Sequence, residues 1–157
     1  VTLADFQAQL KSLGYAPGPI DGIWGDQTGA AVDAFMDDYA PGDFWDTVKY
    51  FARSEFACKC GKCGGFPAEP AETLVRVIDD IRQRLGKPIM VSSGVRCESH
   101  NAEVGGVYNS RHLSGHAVDF ACPGVPQAEV MALIAQYPDI KYYYAIDKEY
   151  IHMDIGG

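Results

Sequence analysis

The chain has 157 residues, 47% apolar and 22% charged, with a net charge of −8. This composition excludes a disordered chain, and the acidic balance with scattered Lys and Arg excludes the clustered cations that nucleic-acid binding requires. No run approaches the ~18–20 apolar residues of a membrane span, so the chain is expected to be soluble, and any affinity for an anionic envelope must come from shaped pockets rather than bulk charge.

The length accommodates one domain of roughly 100 residues beside a module of about 40 to 50. Val1 opens directly on a helical pattern, with no basic-then-apolar signal region, which leaves export open. Leu3, Phe6, Leu10 and Leu13 share one helical face, and Gly14 follows as a stop. The stretch "GYAPGPIDGIWGD" is turn chemistry throughout. Asp26 can cap a second helix with Ala31, Val32, Phe35 and Met36 on its apolar face.

The run from "LKSLGY" through "GPIDGIWGDQTGAAVDAF" resembles the small helical peptidoglycan-binding module of many wall hydrolases. The matching positions are Leu13, Gly14, Tyr15, Gly18, Asp21, Gly22, Trp24, Gly25, Thr28, Ala31, Val32 and Phe35. The second Asp-Gly loop and third helix of that module are replaced here by "DDYAPGDFWDTVKYFARSEF". The resemblance implies wall binding by residues 1–40, against the alternative that Trp24 and Tyr15 only pack the loop onto the two helices.

Pro41-Gly42 reads as a linker, placing a domain boundary near residue 41 and a second domain over 41–157. Aromatic Phe44, Trp45, Tyr50 and Phe51 then lead into a short helix against the larger domain. From Pro70, apolar Leu74, Ile78, Ile81 and Leu85 at helical spacing predict the main core helix, stopped by "GKP". "PIMVSSG" and "GHAVDFAC" read as strands and "ESHNAEVGG" as a short helix ending on glycines. Residues 126–136 form a further amphipathic helix, and "KYYYAI" and "EYIHMDI" a hairpin turning at Asp147 and Lys148. The predicted class is α+β: a small antiparallel sheet with flanking helices, preceded by a small helical module.

The cysteines are Cys58, Cys60, Cys63, Cys97 and Cys122. Disulfides involving Cys97 suit an oxidising compartment, whereas a four-thiolate zinc site of Cys58, Cys60, Cys63 and Cys97 suits a reducing one. C-x-C is tight for two ligands of one tetrahedral ion, which favours disulfides or idle thiols.

In the last strand Tyr150, His152 and Asp154 fall on one face and Ile151, Met153 and Ile155 on the other, because side chains alternate. Asp119 shares its face with Ala117 and Ala121, whose small side chains leave room beside the carboxylate. His112 lies seven residues earlier, in a loop able to fold back over the strand. Two imidazoles and one carboxylate leave zinc's fourth position open for water, as catalysis requires. Glu149 precedes His152 in E-x-x-H spacing; on a regular strand it faces away, so its convergence on the site requires a local irregularity, with Asp147 as the nearest substitute.

The string "SRHLSGHAVD", with Ser110, His112, Gly115, Ala117 and Asp119, resembles the S-x-H-x-x-G-x-A-x-D signature of the zinc D-alanyl-D-alanine carboxypeptidase family, which includes phage wall endopeptidases. "YIHMD" resembles its H-x-D motif and "SSGVRC" the segment with its substrate-binding Arg, in the family's order over residues 50–155. The resemblance implies one catalytic Zn2+ held by His112, Asp119 and His152, with Glu149 as base, and Arg96 and Ser110 at the substrate. It also implies action on peptidoglycan or its stem peptides, as a monomer in the periplasm, outside the cell or on a phage. His116 and His100 have bland readings, and Asp154 is a candidate to orient a ligand His. The rival reading is a wall-binding or phage structural protein that keeps the fold without turnover.

Overall fold

The computed structural model describes residues 1–39 and 43–157, without the side chains of 37–39. The expected boundary near 41 and the Pro41-Gly42 linker therefore lie outside the described residues. Two compact units emerge, Val1–Asp43 and Phe44–Gly157. Among the described residues no helix is long and apolar enough to cross a membrane.

In the first unit, α1 (Leu3–Ser12) begins with a reciprocal capping box: the Asp5 N–H donates to Thr2 Oγ1 at 3.1 Å and the Thr2 N–H to the Asp5 carboxylate at 2.9 Å. Its buried residues are Leu10 and Gln7, while Leu13, expected on the apolar face, is exposed. Gln7 is the surprise, because its amide organises the turn segment that follows. Nε2 donates to the Ile23 carbonyl and Thr28 Oγ1, both at 3.0 Å, and Oε1 accepts the Gly22 N–H at 3.0 Å. A buried amide is stable only when its donors and acceptors are matched in this way. The second helix, α2 (Asp26–Tyr39), starts at Asp26 rather than after it, so the carboxylate acts inside the first turn, where the helix dipole still favours it.

The second unit is the α+β domain. Helix α3 (Glu72–Leu85) ends on Gly86 in the left-handed region, with the Gly86 N–H returning to the Arg82 carbonyl. Strands β1 (Met90–Ser93), β2 (Ala117–Ala121), β3 (Tyr142–Ala145) and β4 (Tyr150–Asp154) form one antiparallel sheet in the order β1-β2-β4-β3. Helices α4 (Glu98–Glu103) and α5 (Gln127–Ile134) and 3-10 turns at Phe44–Thr47, Arg53–Phe56 and Arg111–Ser114 complete it. The aromatic stretch after the first unit is thus two 3-10 turns in place of one short helix.

The sheet has two different faces, as alternation demands. Val118, Phe120, Ile151 and Met153 turn inward and join Leu74, Val75, Ile78 and Ile81 of α3 and Val130 and Ile134 of α5 in the core. The opposite face carries Asp119, paired in register with His152 of β4, which in turn pairs with Tyr144 of β3. In β1 a bulge between Val91 and Ser93 breaks the register beside Asp119. Bulges re-aim the chain locally, and this one delivers Ser93 and Gly94 to the same spot.

Two glycines separate backbone strain from crowding. Gly86 (φ +65) has open space around a hypothetical Cβ, whereas at Gly115 (φ +78) that atom would lie 2.1 Å from the Glu69 carbonyl oxygen. Gly86→Ala is expected to cost only the left-handed penalty of about 1–2 kcal/mol. Gly115→Ala must add displacement of the Glu69–Pro70 backbone and should lose clearly more in urea unfolding; equal losses would show that this close approach carries no energy.

Candidate metal centre

Each member of the His112, Asp119 and His152 trio arrives on a different element. His112 sits in the Arg111–Ser114 turn, whose start is capped by Ser110 Oγ accepting the His112 N–H at 3.3 Å and whose end is closed by left-handed Gly115. Asp119 is the middle residue of β2, and His152 that of β4. All three are buried, and one ligand atom from each lies within 4.8 Å of the others.

The hydrogen-bond pattern shows what the trio can hold. His112 Nδ1 donates to the Gly94 carbonyl at 2.7 Å, because a carbonyl can only accept. Its Nε2 then faces Asp119 Oδ1 at 3.1 Å, and the same oxygen faces His152 Nδ1 at 2.8 Å. The other nitrogen of His152 faces Asp154 Oδ2 at 2.8 Å. A neutral His112 thus turns a lone pair towards a carboxylate, an arrangement that repels unless a proton or a metal cation is shared between them. Two imidazole nitrogens and a carboxylate oxygen, each backed by an outer acceptor or donor, fit a zinc ion with one position left over.

The local electrostatics agree. Burial alone would push the Asp119 carboxyl up, but hydrogen bonds and charge from His112 and His152 outweigh it and hold the group below the usual carboxylate range. Burial works against charge on His152, yet the carboxylates of Asp119 and Asp154 raise it above its ordinary value. Asp119 is therefore held ionised.

Residues 49–154 match the Peptidase M15 family. The chain belongs to that family. Residues 2–36 match a peptidoglycan binding domain. A zinc D-Ala-D-Ala carboxypeptidase from Streptomyces albus G is 32% identical over 145 residues, covering 72% of this chain and 55% of that protein. The chain thus spans about half the length of this curated relative. Membership of the Peptidase M15 family and this relative together indicate Zn2+ as the cofactor, and the His112–Asp119–His152 set is compatible with it.

The remaining residues of this M15 domain divide into those gathered at the trio and those that are not. Arg96 donates from Nη2 to Asp119 Oδ2 at 2.9 Å, from Nε to Ser93 Oγ at 2.8 Å and from Nη1 to Asn101 Oδ1 at 3.3 Å. It fixes the carboxylate so that Oδ1 stays turned to the histidines. Arg96, Ser110, Asn109, Val107, Tyr142 and Tyr144 line the cavity of about 480 Å3 that opens over the trio. Glu149 does not join them: it is exposed and lines a separate cavity of about 350 Å3 with Cys122, Val125, Gln127, Val130 and Ile151. The strand does begin after Glu149, since β4 starts at Tyr150, yet Glu149 still lines the other cavity. Asp147 accepts the Glu149 and Tyr150 N–H groups at 2.8 and 2.7 Å and lines a third cavity together with Arg96 and Asp119. His116 Nδ1 instead meets the Gly156 carbonyl at 3.0 Å, and His100 sits beside Glu103 at 3.6 Å.

Three contributors were missed in the sequence. Asn101 is buried and links Arg96 to the Val107 carbonyl at 2.8 Å. Tyr144 stacks on His152, with ring centroids 4.7 Å apart; the alternation of "KYYYAI" could have placed it on that face. The Gly94 carbonyl carries no side-chain signal at all.

Asp154→Ala removes the acceptor that fixes His152 while leaving His112, Asp119 and His152 in place. Zinc affinity of this centre, measured by competition with a chromophoric chelator, is expected to fall roughly 10- to 100-fold. Unchanged affinity would reduce Asp154 to a packing contact.

Proposed function

We propose that the chain hydrolyses peptide bonds in peptidoglycan stem peptides as a zinc-dependent carboxypeptidase or wall endopeptidase. The observation that carries this reading is the gathering of His112, Asp119 and His152 at one cavity within a Peptidase M15 domain. The name of the Streptomyces albus G relative and the match of residues 2–36 to a peptidoglycan binding domain support the substrate class.

His112, Asp119 and His152 would hold the ion. When bound, Zn2+ supplies a Lewis acid for the scissile carbonyl and makes water acidic enough to be deprotonated near neutral pH. Asp154 keeps His152 in the tautomer that turns Nδ1 to the site, and Arg96 keeps Asp119 ionised and oriented while offering positive charge to a substrate carboxylate or developing oxyanion. Tyr142, Tyr144 and Val107 give the cavity apolar walls against which a stem peptide can pack. A carboxylate from the β3–β4 turn takes the water proton and returns it to the leaving amine as the C–N bond breaks. Glu149 has the E-x-x-H spacing for this, although it lines a separate cavity. Asp147 lines a cavity together with Arg96 and Asp119. Hydrogen bonds of catalytic groups often tighten only with substrate bound, so both variants belong in the test.

Glu149→Gln is expected to lower release of amino groups from peptidoglycan by roughly a hundredfold or more with zinc content unchanged. Activity that persists in Glu149→Gln and disappears in Asp147→Asn assigns the base to Asp147, and activity in both variants removes the turn from the mechanism. Mass spectrometry of the products identifies the bond cut. For the first unit, deletion of residues 1–40 is expected to weaken sedimentation with insoluble peptidoglycan while sparing hydrolysis of a short soluble stem peptide; equal sedimentation would make Trp24 and Tyr15 packing residues only.

A further inference from the structure

We infer that Cys58, Cys60, Cys63 and Cys97 form a second, structural zinc site of four thiolates, separate from the His112–Asp119–His152 centre. The five cysteines, all described, are free, and Cys122 stands apart from the other four. The sulfurs of those four lie within 4.8 Å of one another. Zn–S bonds of ~2.3 Å place tetrahedral sulfurs roughly 3.8 Å apart, so closing on an ion needs only small side-chain rotations.

The backbone is already arranged around the sulfurs as acceptors. Lys62 and Cys63 N–H groups both donate to Cys60 Sγ at 3.3 Å, the Cys97 N–H donates to Cys58 Sγ at 3.3 Å, and the His100 N–H to Cys97 Sγ at 3.4 Å. A neutral thiol is a weak acceptor; amides converging on it are better matched to a thiolate, and metal binding is what deprotonates a thiol outright. The turn "CGKCG" makes this possible, since Gly61 and Gly64 take left-handed φ of +72 and +78 and curl the chain so that Cys60 and Cys63 face the same way. The objection that C-x-C is too tight fails here because a 2.6 Å hydrogen bond from the Cys58 N–H to the Gly65 carbonyl folds the loop back on itself.

The site also has a structural task. Residues 57–71 contain no helix or strand, and a loop of that length in a compact domain needs an anchor beyond its own turns. Its fourth ligand, Cys97, adjoins Arg96 and caps α4, the helix that supplies Asn101 to the same Arg96 guanidinium. The ion would thus tie the loop to the segment that orients Asp119. Four soft thiolates in tetrahedral reach select zinc over calcium or magnesium.

The inference stands apart from the peptidase reading and is tested by metal count on the folded full chain. Protein prepared without chelator is expected to hold two zinc ions, and the His112→Ala/His152→Ala variant, whose cysteines are untouched, to keep one. A thiol-blocking mercurial should release that remaining ion, and cobalt substituted for it should show sulfur-to-metal charge-transfer absorption in the near ultraviolet. A folded His112→Ala/His152→Ala protein without zinc, or with iron in its place, would overturn the assignment. So would fewer than five titratable thiols after denaturation without reductant, because missing thiols mean disulfides. Since the metal is counted with the cysteines intact, misfolding of cysteine variants cannot obscure the result.

Discussion

A carboxylate stays ionised inside a protein only where neighbouring charges and donors replace the water it has lost. Asp119 meets that condition with both oxygens: Oδ1 faces His112 and His152, and Oδ2 accepts from Arg96. Removing any one partner leaves a buried charge short of a neighbour, so the site is a coupled set rather than three independent side chains. The partners are themselves tied outward, His112 to Gly94, His152 to Asp154, and Arg96 to Ser93 and Asn101.

The sheet is what makes this arrangement rigid. Its inner face is closed against α3 and α5 by Val118, Phe120, Ile151 and Met153, and these residues alternate one for one with the site residues of β2 and β4. A slip of one residue in β2 would turn Asp119 into the core, and a slip in β4 would do the same to His152. Core packing and site geometry are therefore enforced by the same register, while the bulge in β1 and the 3-10 turn before β2 supply the two pieces that a regular sheet cannot present, Gly94 and His112.

Much of this was legible because it depends on period. The strands carrying Asp119 and His152, their inward aliphatic partners, and the core helix through Leu74, Ile78 and Ile81 all follow from alternation or helical spacing. The peptidase signature and its order added the zinc reading. What was hidden depends on backbone or on distant pairing. No side chain announces the Gly94 carbonyl, and a buried Gln7 reads as an ordinary polar position until its five-way hydrogen bonding is seen. Asn101 meets Arg96 only because α4 folds back. Glu149 shows the limit of motif spacing: it lies in the turn just before β4 and lines a different cavity from the trio. The approach of Cys58, Cys60, Cys63 and Cys97 was not legible either, because it depends on glycine turns and on the distant Cys97.

The most direct test of the account is hydrolysis of purified peptidoglycan by the full chain after removal of metal with a chelator. Release of new amino groups is expected to stop, to return when zinc is added back, and to stay absent when zinc is added to the His112→Ala/His152→Ala variant. Amino-group release that continues in the metal-free protein, or in that variant, would contradict a peptidase built on His112, Asp119 and His152.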